Sequence, residues 1–170
     1  MRKITLFLCI SILFISCENS KEISSIAPIN WEKRTLNSKL SDTLQIGKSY
    51  LSVYSQIYST TEHRTHNLTV TVSMRNTNLK DSIFINNASY FDTEGNLIRT
   101  YFNKPIFLKP METVEIVIDE LDKQGGTGAN FIFDWAIKQT SNEPLFEGIM
   151  ISTSGQQGLS FSTTGKKITH

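Results

Sequence analysis

The stretch from Asn67 to Arg75 reads Asn-Leu-Thr-Val-Thr-Val-Ser-Met-Arg, and its alternation decides the fold class. Leu, Val, Val and Met occupy every second position, with Thr, Thr and Ser between them. Successive side chains of an extended chain point to opposite faces, so this stretch has one apolar and one polar face. The pattern predicts a strand in a half-buried sheet.

The same two-residue period returns along most of the chain after Tyr50. Groups of turn-forming residues such as Asp92–Asn96 and Asn142–Pro144 separate the extended stretches. The sequence predicts about nine short strands. They cover Tyr50–Tyr58, Asn67–Arg75, Ser82–Phe91, Asn96–Phe102, Pro105–Leu108, Thr113–Ile118, Phe131–Lys138, Phe146–Thr153 and Gly158–Ser162.

The connecting segments between these strands indicate how the strands pair. No amphipathic helix is predicted after Tyr50, so nothing would provide the crossovers that parallel strands require. Apolar faces of this size also need a second sheet to bury them. We therefore expect an all-β, mainly antiparallel two-sheet sandwich of immunoglobulin-like kind over residues 49–165, followed by a tail at 166–170.

The first residues are typical of an export signal. Arg2 and Lys3 precede an apolar run from Ile4 to Ile15, and Ser16 is a small residue at a cleavage point. The run is about 12 residues, shorter than the roughly 20 that span a bilayer. We expect residues 1–16 to be a signal peptide, removed from a protein that works in the bacterial cell envelope.

Cys17 directly follows the predicted signal peptide. The order Phe-Ile-Ser-Cys at positions 14–17 resembles the lipobox of bacterial lipoproteins, with Phe14 in place of the usual leucine. In such proteins the cysteine is lipidated and becomes the first mature residue. We expect Cys17 to anchor the domain to a membrane, outside the cytoplasm. A cleaved signal followed by a cysteine of no special role is the alternative.

Residues 17–48 are rich in Ser, Lys, Asn and Glu, which favours a lipid-anchored polar tether that ends in a docking segment. Leu36, Leu40 and Leu44 are four residues apart, as on one face of a short helix. An irregular segment docked through Trp31 is equally compatible with the pattern.

The charge and cysteine content of the chain limit its possible partners and the source of its stability. The 170 residues carry 17 basic and 16 acidic side chains, and removal of Arg2 and Lys3 with the leader keeps the mature chain close to neutral. This balance excludes a polybasic nucleic-acid binder. Cys9 would be lost with the leader and Cys17 acylated, so the domain has no disulfide and depends on its core.

Several short segments together resemble one bacterial family. The resemblance runs over roughly Tyr50 to Gly165, and the chain is similar to the family called domain of unknown function 3124. It implies small exported or lipid-anchored bacterial proteins, and it implies no activity or catalytic residues. The segments are Tyr50–Ser55, Asn67–Val70, Arg75–Thr77, Gly125–Phe131 and Thr153–Gly158, of which Gly-Gly-Thr-Gly-Ala-Asn-Phe and Gly-Gln-Gln-Gly are the most specific.

The glycine run at positions 125–128 has two interpretations. Backbone amides of such a run cradle phosphate when a helix opens directly after it. Here a predicted strand follows at Phe131 instead. We therefore expect a structural loop that needs a positive φ angle, which glycine tolerates.

Asp119, Glu120 and Asp122 place three carboxylates just before the glycine run, with Asn130 after it. Oxygen ligands of this kind suit calcium. Their spacing matches no calcium loop, and acidic residues at the end of a strand are usually solvated. Calcium is therefore the weaker interpretation, and we expect no cofactor.

His63 and His66 are the histidines of the predicted domain, and no cysteine lies near them. A tetrahedral zinc site needs three or four ligands, so the pair falls short. We expect both to lie on a solvated hairpin loop between the first two strands.

Enzymatic chemistry has little support in the sequence. There is no Gly-x-Ser-x-Gly motif for a serine hydrolase. Glu115, Asp134 and Glu147 lie on predicted strands and would serve a hydrolase if they faced one another. A metal-dependent or carboxylate-based envelope hydrolase is therefore the alternative to a non-enzymatic module.

Tyr50, Tyr54 and Tyr58 share one face of the first predicted strand, and aliphatic residues occupy the other face. Exposed tyrosines stack on sugar rings or pack against proteins, because each has an apolar ring and a polar tip. The pattern has two interpretations. The tyrosines face the core or pack under the amino-terminal segment, or they form a binding surface for an envelope protein or a glycan.

Overall fold

The computed structural model describes residues 30–153 and 158–169. A short 3₁₀ helix, Trp31–Arg34, precedes twelve strands in these residues. The strands are β1 (Gln45–Ser52), β2 (Gln56–Ser59), β3 (Thr61–Asn67), β4 (Thr69–Arg75), β5 (Ile83–Phe91), β6 (Leu97–Phe102), β7 (Ile106–Leu108), β8 (Thr113–Ile118), β9 (Asn130–Ile137), β10 (Leu145–Ser152), β11 (Leu159–Thr164) and β12 (Lys166–Ile168).

The strands form three sheets, and every pairing between them is antiparallel. The largest has the order β12-β1-β9-β5-β6, with β7 also paired to β5. The second has the order β11-β10-β4-β8, and β2 and β3 form a separate hairpin. The prediction of a nearly all-β chain with antiparallel sheets is confirmed.

The two larger sheets contribute to one buried apolar cluster. Val70, Val72 and Met74 of β4 are fully buried, as the alternation in that stretch predicts. Phe133 on β9 and Phe146 on β10 stack with their ring centroids 4.2 Å apart, which joins the two sheets directly.

The chain changes sheets at Gly165. β11 pairs with β10, whereas β12 pairs with β1. Gly165 donates its N–H to Phe146 O, and a Cβ at this position would lie 2.9 Å from Phe146 Cβ. Residues 166–168, predicted as tail, therefore form an edge strand of the large sheet.

The N-terminal segment is docked on the domain. The Trp31 ring lies 4.7 Å from that of Phe102, and Leu36 donates its N–H to Pro105 O. Leu40 and Leu44 lie outside any helix, so the docked irregular segment is the arrangement found, and β1 begins at Gln45. The predicted signal peptide, Cys17 and the tether up to residue 29 lie outside the described residues.

The prediction of one strand from Tyr50 to Tyr58 is wrong. β1 ends at Ser52, one residue before the buried Val53, which donates its N–H to Ala129 O. β2 then starts at Gln56 and pairs with β3. No helix within residues 30–153 and 158–169 has the length and apolar character to cross a membrane.

Candidate functional site

The three tyrosines of the predicted binding surface occupy three different settings. Tyr50 lies on β1 and is 38% exposed. Tyr54 lies between strands and packs edge-on against Phe161 with ring centroids 5.7 Å apart. Tyr58 lies on β2 and is 61% exposed. The break after Ser52 removes the continuous strip, and Tyr58 has the most exposed ring of the three.

Tyr58 belongs to the β2–β3 hairpin, which is a two-stranded sheet of its own. Gln56 pairs with Asn67 and Tyr58 pairs with Thr65, so these four side chains share one face. The other face carries Ile57, which packs against the core. The hairpin therefore rests on the domain through Ile57 and presents the face of Tyr58 outward.

Hydrogen bonds hold that face in place. Gln56 Nε2 donates to Asn67 Oδ1 at 2.9 Å and to Thr65 Oγ1 at 3.3 Å. Thr127 Oγ1 donates to Tyr58 Oη at 3.4 Å, which ties the hairpin to the glycine loop. We call Gln56, Tyr58, Thr65, Asn67 and Thr127 the hairpin platform. It combines one aromatic ring with uncharged amides and hydroxyls.

The glycine loop supports the base of the hairpin. Gly126 O accepts hydrogen bonds from Gln56 N at 3.0 Å and from Ser55 Oγ at 3.2 Å. Gly126 has a φ of +67°, so the expected loop with positive φ is found at this residue. β9 follows the loop, and the phosphate-binding arrangement of loop and helix is absent from this described part of the chain.

Thr93, in the turn between β5 and β6, binds the glycine loop from the other side. Its Oγ1 donates to Gly125 O at 3.0 Å and accepts from Gly128 N at 3.0 Å. A Cβ on Gly125 would overlap the Tyr90 hydroxyl and lie 2.9 Å from Ser55 Oγ. The loop therefore needs glycine at position 125 because of close packing.

Asp122, a candidate calcium ligand, forms a hydrogen bond within the domain. Its Oδ2 accepts a hydrogen bond from Arg99 Nη2 at 2.6 Å, and Arg99 also donates to Gln124 Oε1 at 2.7 Å. Asp119 Oδ1 accepts from the Leu121 N–H at 2.9 Å. Along residues 30–153 and 158–169, the structure groups no three His, Cys, Asp or Glu side chains as metal ligands, and Asp119, Glu120 and Asp122 are not gathered into one.

Arg99 also lies over two aromatic rings, at 5.8 Å from the Tyr90 centroid and 5.9 Å from that of Tyr101. Burial raises the pKa of Tyr101 to about 12, although the Arg99 guanidinium opposes the shift. Burial likewise raises the pKa of the Tyr90 phenol above its usual range. Both phenols are therefore neutral at physiological pH and act as packing groups.

The two histidines lie on β3 and not in the predicted loop. His63 Nε2 is 3.5 Å from Glu62 Oε1, and both side chains are exposed. His66 pairs with Ile57 across the hairpin. The hairpin is longer than predicted because polar, β-branched Thr61 and Thr65 continue the strand to Asn67.

The three carboxylates of the alternative hydrolase are divided between the two larger sheets. Glu115 and Glu147 lie on the same face of the four-stranded sheet, on either side of Ser73. Arg75 Nε donates to Glu147 Oε2 at 2.6 Å. Asp134 lies on the other sheet, 3.0 Å from Lys48 Nζ.

A hollow of about 460 Å³ lies where the N-terminal segment crosses the large sheet. Its apolar lining includes Leu36, Leu40, Leu44 and Phe84. Lys138 Nζ lies 2.6 Å from Asp81 Oδ1 at the rim. The volume is within the range of ligand pockets. Sequence reasoning missed the hollow because the residues that line it come from segments far apart in the sequence.

Sequence reasoning also missed four residues of the hairpin platform. Gln56 lies two residues before Tyr58, so alternation along a strand places both on one face. The sequence pattern could therefore have predicted Gln56. Thr65 and Asn67 required the strand register, and Thr127 required the tertiary contact.

Comparisons with known proteins give a family and one distant structural likeness. The sequence model of the family described as "Protein of unknown function (DUF3124)" matches residues 45–168. The crystal structure of Thermotoga maritima 1070 is similar with a TM-score of 0.45 and 9% identity, over 71% of this chain and 92% of that one. The search of curated proteins found no match.

Proposed function

The chain belongs to the DUF3124 family of proteins of unknown function, and we propose that it is a bacterial envelope lipoprotein whose β domain is a non-enzymatic binding or assembly module. One observation carries this proposal: the β2–β3 hairpin stands as a separate sheet and presents Tyr58, 61% exposed, beside uncharged polar side chains. An exposed aromatic ring in an ordered polar setting favours recognition of a partner.

The proposed location in the cell envelope rests on the predicted signal peptide and the residues at its end. The charged start, the apolar run and the Ser16-Cys17 junction support export, cleavage and lipidation at Cys17. From Cys17 to Asn30 the chain would reach at most roughly 45 Å when fully extended. The anchor would therefore hold the domain close to a membrane of the cell envelope, outside the cytoplasm.

We propose that the two larger sheets form an immunoglobulin-like sandwich. Their shared apolar cluster, the Phe133–Phe146 stack and the change of sheet at Gly165 support this arrangement. In solution, NMR cross-peaks between the ring protons of Phe133 and Phe146 are expected. Their absence in a folded sample would contradict face-to-face packing of the sheets.

The proposed binding surface is the hairpin platform, and its partner is an envelope protein or a glycan. A nucleic acid is not a candidate because the chain is close to neutral and no basic residue belongs to the platform. The platform also has the rigidity that recognition favours, since each of its members takes part in a side-chain hydrogen bond.

The experiment on the anchor compares two cysteine variants of the full chain. Cells grown with an alkyne-labelled fatty acid should yield labelled, membrane-bound protein for the unmodified chain and for Cys9→Ala. Cys9 is the matched control, because it lies in the leader. Cys17→Ala should be unlabelled and either released or left unprocessed. A Cys17→Ala protein that stays labelled, mature and membrane-bound would refute the anchor.

A further inference from the structure

We infer that the hairpin platform binds a neutral glycan by stacking a pyranose ring on Tyr58 and hydrogen-bonding its hydroxyls through Gln56 and Asn67. This inference rests on the proposed function, because it names the chemical class of partner for the same surface.

The ring of Tyr58 is placed for stacking. It is 61% exposed, and Thr127 Oγ1 donates a long hydrogen bond of 3.4 Å to its Oη. A tyrosine side chain has few rotatable bonds and loses little conformational freedom on binding. The apolar face of a pyranose packs against such a ring through its C–H groups, while its hydroxyls reach outward to polar neighbours.

The polar groups beside the ring are oriented for hydroxyls. Gln56 Nε2 is already engaged with Asn67 Oδ1 and Thr65 Oγ1, which fixes both amide planes. In the described part of the chain, Gln56 Oε1 and Asn67 Nδ2 have no side-chain partner and neither is among the buried unpaired atoms, so one acceptor and one donor group are accessible to a ligand. Sugar hydroxyls both donate and accept, and they match this pair.

The charge of the platform selects among partners. None of its five residues carries a charge. The charged hairpin residues Glu62 and Arg64 lie in the irregular part of β3, between Thr61, which pairs with Ser59, and Thr65, which pairs with Tyr58. An anionic glycan would require cations that the platform lacks. A protein partner would favour a larger apolar core than one ring supplies. A neutral glycan fits both features.

The test uses the full lipidated chain in phospholipid nanodiscs, which avoids sugar-based detergents. Calorimetric titration with cellohexaose and chitohexaose measures binding of neutral glycans, and a sulfated hexasaccharide is the charged comparison. At least one neutral hexasaccharide should bind, and more tightly than the sulfated one. Absence of binding to either neutral probe, or tighter binding of the sulfated one, would overturn the inference.

Variants then assign binding to the platform. Tyr58→Ala should weaken binding by about tenfold, or about 1.4 kcal/mol, through loss of the ring. Tyr58→Phe keeps the ring and should weaken it by about threefold at most. Tyr50→Ala is the matched control on another sheet and should bind normally. Equal affinities of Tyr58→Ala and Tyr50→Ala would overturn the assignment.

A further variant tests the inference without changing Tyr58, in case the Tyr58→Ala protein does not fold. Gln56→Ala leaves the ring in place and should weaken binding by about threefold or more, because it removes an accessible acceptor. Unchanged binding would contradict the polar half of the inference. If Tyr58 contacts a protein in cells and neither neutral hexasaccharide binds, the glycan inference fails and the binding-module proposal stands.

Discussion

Arg99 Nη2 lies 2.6 Å from Asp122 Oδ2, and this ion pair is largely withdrawn from solvent, with side-chain exposures of 17% and 2%. Arg75 and Glu147 form a pair of the same length whose side chains are 37% and 35% exposed. The buried pair joins β6 to the loop that leads into the glycine run. These two ion pairs therefore have equal lengths but different environments.

The first prediction separates these two pairs. Arg99→Ala should lower the free energy of unfolding by about 3–5 kcal/mol, because it leaves a buried carboxylate without its cation. Arg75→Ala should cost about 1 kcal/mol or less, because solvent screens the exposed pair. Urea denaturation of the two variants measures the difference. Equal losses would show that burial does not govern the contribution of Arg99.

The second prediction concerns Gly125, which is packed against the Tyr90 hydroxyl. Gly125→Ala should destabilise the domain by about 1–3 kcal/mol, because the added methyl displaces a buried phenol. In a Tyr90→Phe background the penalty should be smaller, since the overlapping oxygen is gone. Thermal melts of the single and double variants give the coupling. An equal penalty in both backgrounds would rule out this contact as its cause.

The third prediction concerns Gly126, which combines a positive φ with a close neighbour. Gly126→Ala should cost about 1 kcal/mol or more, because its φ of +67° disfavours a side chain and the added Cβ would lie 2.7 Å from Thr93 Oγ1. Gly95, with a φ of +85° and no atom within 4 Å of a Cβ, is a control for strain alone. Gly158 has no positive φ and no atom within 4 Å of a Cβ, and it should tolerate alanine. A Gly126→Ala protein as stable as Gly158→Ala in thermal melts would contradict this account.

The fourth prediction is an alkaline loss of stability. The folded state raises the pKa of Tyr101 from 10.0 to about 12, so folding favours its neutral phenol. This contribution is fully present below pH 10 and is lost as the pH rises to about 12. Tyr101→Phe should therefore show a shallower fall in unfolding free energy over that window. The buried phenol of Tyr90 remains in both proteins, and identical slopes would be inconsistent with the shift at Tyr101.

The fifth prediction distinguishes Tyr54 from Tyr58 by stability. Tyr58→Ala should change the free energy of unfolding by about 0.5 kcal/mol or less, because the side chain is mostly exposed. Tyr54→Ala should cost about 2 kcal/mol, since the ring packs against Phe161 and the core. Chemical denaturation tests both. A large loss for Tyr58→Ala would mean that its ring supports the fold.

Strand existence was predictable where one face of the strand is buried. The alternation around Val70 and Val72 predicts β4, and both residues are fully buried. The register and the sheet order were not predictable, because they depend on contacts between distant strands. β12 shows this limit, since Lys166–Ile168 has little apolar pattern and pairs with β1 only after the chain turns at Gly165.

The candidate site was predictable in part. Tyr58 was found from its aromatic ring and its position in an extended stretch, but the continuous strip with Tyr50 was wrong. The chain after the break makes a tertiary contact, because Gln56 donates its N–H to Gly126 O of the glycine loop, far along the chain. Alternation alone cannot detect such a contact, which moves Tyr54 into packing against Phe161.

The most direct measurement of the central claim is site-specific photocrosslinking in the native cell envelope. A benzophenone amino acid replaces Tyr58 in one full-length variant and Tyr50 in another, and irradiated membranes are analysed for adducts. We expect a discrete adduct at position 58 and none at position 50. Adducts at position 50 alone, or none at position 58 in a folded and membrane-bound protein, would contradict recognition through the hairpin platform.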